Sequence, residues 1–135
     1  MIVWDEKYAI GNATVDAQHK KLFELLGGLV EACNEGRDLA KIQSTLEFLV
    51  SYTEQHFRDE EALQISCGYP YASAHRVLHD GFKIEVVKLV DRFVLRGVSA
   101  DLSNDINKIV VKWLVKHIMQ EDKRIVEHIR ATGQG

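Results

Sequence analysis

The segment LEFLVSYTEQHFRDEEAL, at residues 46–63, carries both a fold signal and a chemical signal. Its apolar side chains recur every three or four residues, which is the spacing of one face of an amphipathic helix. His56 and Glu60 lie on that same face, about one helical turn apart. A bare carboxylate on a buried face costs on the order of a few kcal/mol unless it is paired or bound to a metal. The segment therefore predicts a long helix that turns both side chains to the interior, where Glu60 needs a partner or a metal.

Three further segments show helical periodicity, and no segment shows the alternation of a β-strand. An irregular arm, residues 1–15, precedes helices that are predicted at about residues 16–35, 39–65, 71–96 and 102–130. The connections are short, and short connections make antiparallel neighbours. The sequence therefore predicts an all-α, up-down-up-down antiparallel four-helix bundle in a single domain, residues 1–135.

The composition excludes several classes of protein. The net charge of −3 and the scattered basic residues give no basis for binding nucleic acid or an anionic membrane. No apolar run approaches the ~20 residues that span a bilayer, and residues 1–6 lack the features of a signal peptide. Cys33 and Cys67 are expected to be free thiols. We expect a soluble, cytoplasmic chain, or a domain of a larger receptor with a signalling module.

Five of the six histidines and two acidic residues form a pattern of spaced pairs, apart from His19, which stands alone. On the predicted helices they all fall at one end of the bundle, within roughly two or three turns of one level. The set comprises His19, His56, Glu60, His75, His79, His117 and Asp122. Neutral imidazoles and carboxylates are ligands for iron, manganese or zinc. Seven such groups exceed the need of one ion, so the pattern predicts a two-metal centre.

One step in this pattern does not fit an ideal helix. His117 and Asp122 are five residues apart, a rotation of about 140°, so Glu121 is the better-placed carboxylate on simple geometry. A π-bulge would bring residues i and i+5 into line. Alternatively, His117 and Asp122 could reach the cluster from different sides. Geometry alone leaves these alternatives open.

With these residues in place, the chain resembles the hemerythrin family in its bacterial form. The resemblance covers nearly the whole chain and rests on five motifs. They are Trp4-Asp5, VDAQHKKL at residues 15–22, HFRDEE at 56–61, HRVLH at 75–79 and WLVKHIMQED at 113–122. The family pattern contains the five-residue step from histidine to aspartate, so the resemblance selects Asp122 over Glu121.

The resemblance implies a non-haem di-iron centre with an oxo or hydroxo bridge. One iron would be held by His75, His79 and His117, and the other by His19 and His56. Glu60 and Asp122 would bridge the two irons. Candidates for an apolar ligand pocket around them, by motif position, are Leu22, Phe57, Trp113, Leu114 and Ile118.

The implied function is reversible binding of dioxygen, either as an oxygen carrier or store or as an oxygen-sensing domain. Five imidazoles against two carboxylates suit reversible binding better than oxidation, so we expect a binding protein and not an enzyme. The alternatives are a redox or nitric oxide sensor and a peroxidase-type di-iron enzyme.

Some residues remain outside this pattern. Gly27 and Gly28 each cost a helix about 1 kcal/mol relative to alanine, which indicates either close helix contact or space for a ligand path. His128 is expected to be solvated and stabilised by a helix C-terminus. Leu78 and Val110 are expected to point inward.

Overall fold

The structure of the chain is a computed structural model that describes residues 3–36 and 38–133. Within these ranges there is no strand, and most residues are helical. Three long helices come first: α1, Ala13–Glu35; α2, Leu39–Ser66; and α3, Ala72–Arg96. The connections between them are short, as an antiparallel arrangement requires.

The fourth helix, residues 100–132, is an unbroken succession of five helical segments. Three are α-helical: α4, Ala100–Asp105; α5, Lys112–His117; and α6, Lys123–Thr132. The two between them are π-helical, Ile106–Val111 and Ile118–Asp122. A π-helical turn accommodates an extra residue, and such turns are frequent at functional sites.

Two helices begin earlier than the periodicity predicts because polar side chains cap them. The Asn12 side chain accepts a hydrogen bond of 3.1 Å from the backbone N–H of Val15, so α1 begins at residue 13 and not 16. The Ser99 hydroxyl accepts one of 3.1 Å from the N–H of Leu102, so the fourth helix begins at residue 100 and not 102. Each cap satisfies a backbone donor that the first helical turn leaves free.

The four helices close into one bundle, which confirms the predicted fold class. α1 packs against α2 and the fourth helix, α2 packs against α3, and α3 packs against the fourth helix. The fully buried apolar side chains at the centre include Leu26, Leu29, Ile42, Leu46, Leu49, Leu102 and Ile106.

The inward position expected for Leu78 is wrong, since this residue is 39% exposed. It lies at the edge of a narrow buried stripe on α3 whose centre is formed by His75, His79 and Phe82. The inward position expected for Val110 concerns a side chain outside the described part of the chain.

The described part of the arm, residues 3–12, folds back on α1. Trp4 and Tyr8 pack on the buried Phe23, with ring centroids 5.5 and 5.1 Å away. The Asp16 carboxylate accepts hydrogen bonds from the N–H groups of Ile10 and Gly11, at 2.8 and 3.2 Å. The arm therefore covers the same end of α1 that carries His19. Among the described helices, none has the length and apolarity needed to cross a membrane.

Candidate metal centre

The structure brings all seven predicted ligand residues together in the bundle interior. His19 lies on α1, His56 and Glu60 on α2, and His75 and His79 on α3. His117 and Asp122 come from the fourth helix. None of the seven is more than 4% exposed.

His117 and Asp122 point to the same place because the segment between them is π-helical. His117 ends α5, and Asp122 ends the π-helical segment that follows it. The distance from His117 Nε2 to Asp122 Oδ1 is 3.0 Å. Glu121 instead turns outward, with Oε2 3.9 Å from Nη1 of Arg124. The spacing alone leaves open whether a π-bulge aligns His117 with Asp122, and the structure shows that a π-helical segment does so.

The ligand atoms divide into two groups, and within each group they lie within 4.8 Å of one another. The first group, the three-histidine group, comprises Glu60, His75, His79, His117 and Asp122. The second, the two-histidine group, comprises His19, His56, Glu60 and Asp122. The two carboxylates are common to both groups.

Each shared carboxylate turns one oxygen toward each group. Glu60 Oε1 lies 3.0 and 3.1 Å from Nε2 of His75 and His79, whereas Oε2 faces Nε2 of His56 at 3.6 Å. Asp122 follows the same rule. Its Oδ1 lies 3.0 Å from Nε2 of His75, and its Oδ2 lies 3.0 Å from Nε2 of His19. Two carboxylates in this arrangement fit the role of bridges between two neighbouring cations.

The chemistry of these atoms fits metal ions. Within the described part of the chain, both oxygens of Glu60, both oxygens of Asp122 and both ring nitrogens of His19 are buried and have no partner in hydrogen-bond geometry, although imidazole nitrogens lie 3.0 Å from the carboxylates. In the three-histidine group, His117 Nε2 lies 2.9 and 3.2 Å from Nε2 of His75 and His79. Converging lone pairs and buried carboxylates are costly unless a cation lies among them.

The pKa values of the cluster also reflect this concentration of buried groups. Burial lowers the pKa of His56 to about 4. Burial alone would also lower the pKa of His75, but its contacts with Asp122 and Glu60 outweigh burial and raise the pKa to about 9. Burial opposes ionisation of Asp122, yet the surrounding histidines hold its pKa well below the usual range. The Asp122 carboxylate is therefore stabilised by positive charge around it, which protons or metal ions can supply.

Two of the ligand histidines are oriented by hydrogen bonds at Nδ1, on the side of the ring away from the cluster. The residues that make these bonds are not singled out by the sequence pattern. His56 Nδ1 lies 2.7 Å from Oε1 of Gln18, and His79 Nδ1 lies 2.9 Å from Oε2 of Glu61. An Nδ1–H group that donates outward leaves Nε2 free to bind a metal. Gln18 and Glu61 stand next to ligands in the sequence, and this adjacency is their only signal.

Aromatic rings pack against the three-histidine group. Phe57 stacks on His79 with centroids 3.8 Å apart, and Trp113 stacks on His117 at 4.3 Å. The other predicted pocket residues, Leu22, Leu114 and Ile118, are at most 2% exposed and belong to the same core. Trp113 is half-buried and lines an outer cavity of about 260 Å³ with Leu78 and Lys116. Phe57 and Trp113 therefore pack directly on ligand residues, and the role of the five predicted residues as a ligand pocket stays a prediction.

Two residues differ from expectation. His128 is half-buried and not simply solvated, because its Nε2 lies 3.1 Å from the carbonyl oxygen of Cys67, the residue that caps the C-terminus of α2. For Gly28, close helix contact is the wrong explanation. It is exposed, and an added Cβ would meet no atom within 4 Å. Cys33 and Cys67 are both free and buried.

Comparison with known proteins gives a consistent result. Residues 11–129 match the family described as Hemerythrin HHE cation binding domain. The chain is 31% identical over 129 residues to a bacteriohemerythrin of Pseudomonas aeruginosa, covering 96% of this chain and 82% of that protein. It is 28% identical to a bacteriohemerythrin of Clostridium acetobutylicum, over 94% of this chain and all of that protein. It is 34% identical to a myohemerythrin of Theromyzon tessulatum, over 88% of this chain and 86% of that protein.

Proposed function

The chain belongs to the hemerythrin family, which implies a di-iron cofactor, and we propose that it binds dioxygen reversibly at that centre. The role is that of an oxygen carrier or store or of an oxygen-sensing domain, which would share the same site. The proposal rests on one observation: Glu60 and Asp122 each turn one carboxylate oxygen toward each of the two groups of histidines. A single ion needs no such division.

In this proposal His75, His79 and His117 would hold one iron, and His19 and His56 would hold the other. Glu60 and Asp122 would contribute to both. The three-histidine group offers three imidazoles and two carboxylates, whereas the two-histidine group offers one imidazole fewer. A metal with an open position is the one that accepts an exogenous molecule. Dioxygen is therefore expected at the two-histidine group.

When bound, the two irons supply the electrons that reversible binding of dioxygen requires. The protein contributes a dry, rigid site. His19 and Asp122 are at most 1% exposed, and Leu22, Leu114 and Ile118 are buried in the apolar core of the same bundle. Exclusion of water and external protons favours release of intact dioxygen over irreversible oxidation of the irons.

A binding role without turnover is also part of the proposal. Five imidazoles bind the irons as neutral ligands, and only two carboxylates contribute charge. Carboxylate-rich di-iron sites with Glu-x-x-His pairs are a different arrangement. The ligand set here therefore favours a centre that binds and releases oxygen.

An oxygen titration of the reduced, iron-loaded protein tests the proposal. We expect one dioxygen bound per two irons and recovered intact when the oxygen pressure falls. Sustained consumption of oxygen or of added hydrogen peroxide, with turnover numbers far above one per chain, would instead identify an enzyme. A protein that contains two irons but neither binds nor consumes oxygen would contradict the proposal as well.

A further inference from the structure

A chain of three hydrogen bonds runs from His56 to the protein surface. His56 Nδ1 lies 2.7 Å from Oε1 of Gln18. The Gln18 side-chain amide donates to Asp59 Oδ2 at 2.9 Å, and the Gln55 amide donates to Asp59 Oδ1 at 2.8 Å. Gln18 comes from α1, and the other three residues come from α2. The chain therefore joins two helices directly behind a predicted metal ligand.

The direction of these hydrogen bonds is determined by Asp59. An ionised carboxylate only accepts hydrogen bonds, so Gln18 must turn its NH₂ group toward Asp59 and its oxygen toward His56. The reverse orientation would place two acceptors against each other at 2.9 Å. Because Gln18 presents an acceptor, the His56 ring must carry its proton on Nδ1. Its Nε2 then faces the cluster as a lone pair, 3.6 Å from Glu60 Oε2.

The corresponding contact in the three-histidine group is chemically different. His79 Nδ1 donates to a carboxylate, Glu61 Oε2, at 2.9 Å. A carboxylate behind a ligating imidazole increases its basicity and its strength as a donor to the metal. A neutral amide oxygen does so less. In the chain behind His56 the negative charge stands one residue further out, on Asp59.

We propose that Gln18 and Asp59 are positioning residues of His56, and that the neutral amide between ring and carboxylate keeps His56 a weaker donor than His79. The inference rests on the proposed di-iron function and deepens it. The two-histidine group, where oxygen is expected to bind, would then have the less electron-rich iron. That iron favours the ferrous state, which is the state that must be recovered each time oxygen is released.

Gln18→Ala tests the positioning part. It removes the acceptor behind His56 while the remaining ligands stay in place. Loss of an orienting partner typically weakens metal binding about 10- to 100-fold. We expect the weaker of two Fe²⁺ affinities, measured anaerobically by competition with a chelator, to fall by that factor. Gln43→Ala is the matched control, because Gln43 is an exposed glutamine on α2 whose side-chain amide donates to Glu47, one turn away and outside the cluster.

The double variant Gln18→Glu/Asp59→Asn tests the charge part. It exchanges carboxylate and amide, so the net charge and the number of hydrogen bonds are kept: Asn at 59 can donate to Glu at 18 and still accept from Gln55. His56 then gains a carboxylate partner, as His79 has. We expect two irons per chain, a more negative reduction potential and faster oxidation of the reduced protein in air. A purely structural role of this pair would leave the potential unchanged.

The outcomes separate this inference from the proposed function. Unchanged Fe²⁺ affinities in Gln18→Ala, together with an unchanged potential in the double variant, would overturn the inference even if the wild-type protein binds oxygen reversibly. If the wild-type protein binds two Fe²⁺ but no oxygen, the proposed function fails, and the Fe²⁺ affinities still test the positioning. Should Gln18→Ala fail to fold by circular dichroism, the double variant carries the test, since it keeps the hydrogen-bond chain.

Discussion

His117 and Asp122 face one another at 3.0 Å across a single π-helical turn, although five residues separate them in the sequence. In a regular α-helix this step would turn the two side chains about 140° apart. The extra residue is accommodated within Ile118–Asp122, and α6 continues after it. The π-helical turn therefore turns Asp122 toward the cluster and Glu121 outward.

The first prediction concerns which carboxylate binds iron. Asp122→Asn removes a buried group shared by both metal positions, so the iron content should fall from two per chain to one or fewer. Glu121→Gln is the control, because Glu121 contacts Arg124 outside the cluster and its loss should leave two irons. Metal analysis of the purified proteins measures this. Equal iron loss in both variants would contradict the assignment.

A second prediction concerns the length of the π-helical turn. Gln120 is exposed within it. Its deletion converts the five-residue step into the four-residue step of an α-helix, which still places histidine and aspartate on one face. The deletion variant should therefore retain iron. Insertion of one alanine after Gln120 places the aspartate six residues from the histidine, and we expect loss of iron. Circular dichroism confirms that both variants are helical.

Removal of the metal should destabilise the bundle. The cluster contains two carboxylates and five imidazoles, all at most 4% exposed. A ligand that binds only the folded state stabilises it by about 2.7 kcal/mol at a hundred times its dissociation constant. Chemical denaturation with and without a chelator should therefore show a loss of at least about 3 kcal/mol. An unchanged midpoint would show that the cluster holds no metal.

The metal-free protein should in addition show a distinct pH dependence. His75 has its pKa raised from 6.5 to about 9, so its contribution to stability is present below pH 6.5 and lost as the pH rises through about 9. His56 has its pKa lowered from 6.5 to about 4, so stability decreases as the pH falls from 6.5 toward 4. Unfolding free energies measured across this range should peak near pH 6.5. Stability that rises steadily up to pH 9 would contradict this.

Substitution by alanine should change the stability of the protein in opposite directions at two glycines. Gly28 lies inside α1 with open space around it, so Gly28→Ala should stabilise the protein by about 0.5–1 kcal/mol. Gly11 has a φ of +95°, which a residue with a Cβ rarely adopts, and the added Cβ would also displace the flexible end of Arg130. Gly11→Ala should destabilise the protein by more than about 1 kcal/mol. Urea unfolding measures both changes in stability.

Oxygen uptake should be unchanged in Gly28→Ala, since Gly28 faces an outer groove. Slower uptake would support a ligand path at this glycine.

Sequence reasoning reaches the four helices and the seven cluster residues because both depend on periodicity. The four-residue spacing of His56 and Glu60 alone predicts that the two side chains lie on one face of a helix. The same reasoning cannot choose between Asp122 and Glu121, since a π-helical turn is decided by tertiary packing and not by local propensity. It also misplaces Leu78, because the width of a buried stripe depends on how closely the neighbouring helices approach.

The residues behind the ligands are harder to predict. Gln18 and Asp59 meet only when α1 and α2 pack side by side, and they are 41 positions apart in the sequence. His128 reaches the Cys67 carbonyl over 61 positions. Neither contact follows from a repeating pattern of residues along the sequence. Such contacts require the relative position of two helices, which one sequence does not contain.

Anomalous diffraction from crystals of the iron-loaded protein, recorded at the iron edge, would show where the two irons lie and which side chains bind them. We predict two iron peaks, one beside His75, His79 and His117 and one beside His19 and His56. Oxygens of Glu60 and Asp122 should lie within bonding distance of both. A single iron peak, or an iron bound by Glu121 in place of Asp122, would contradict the account.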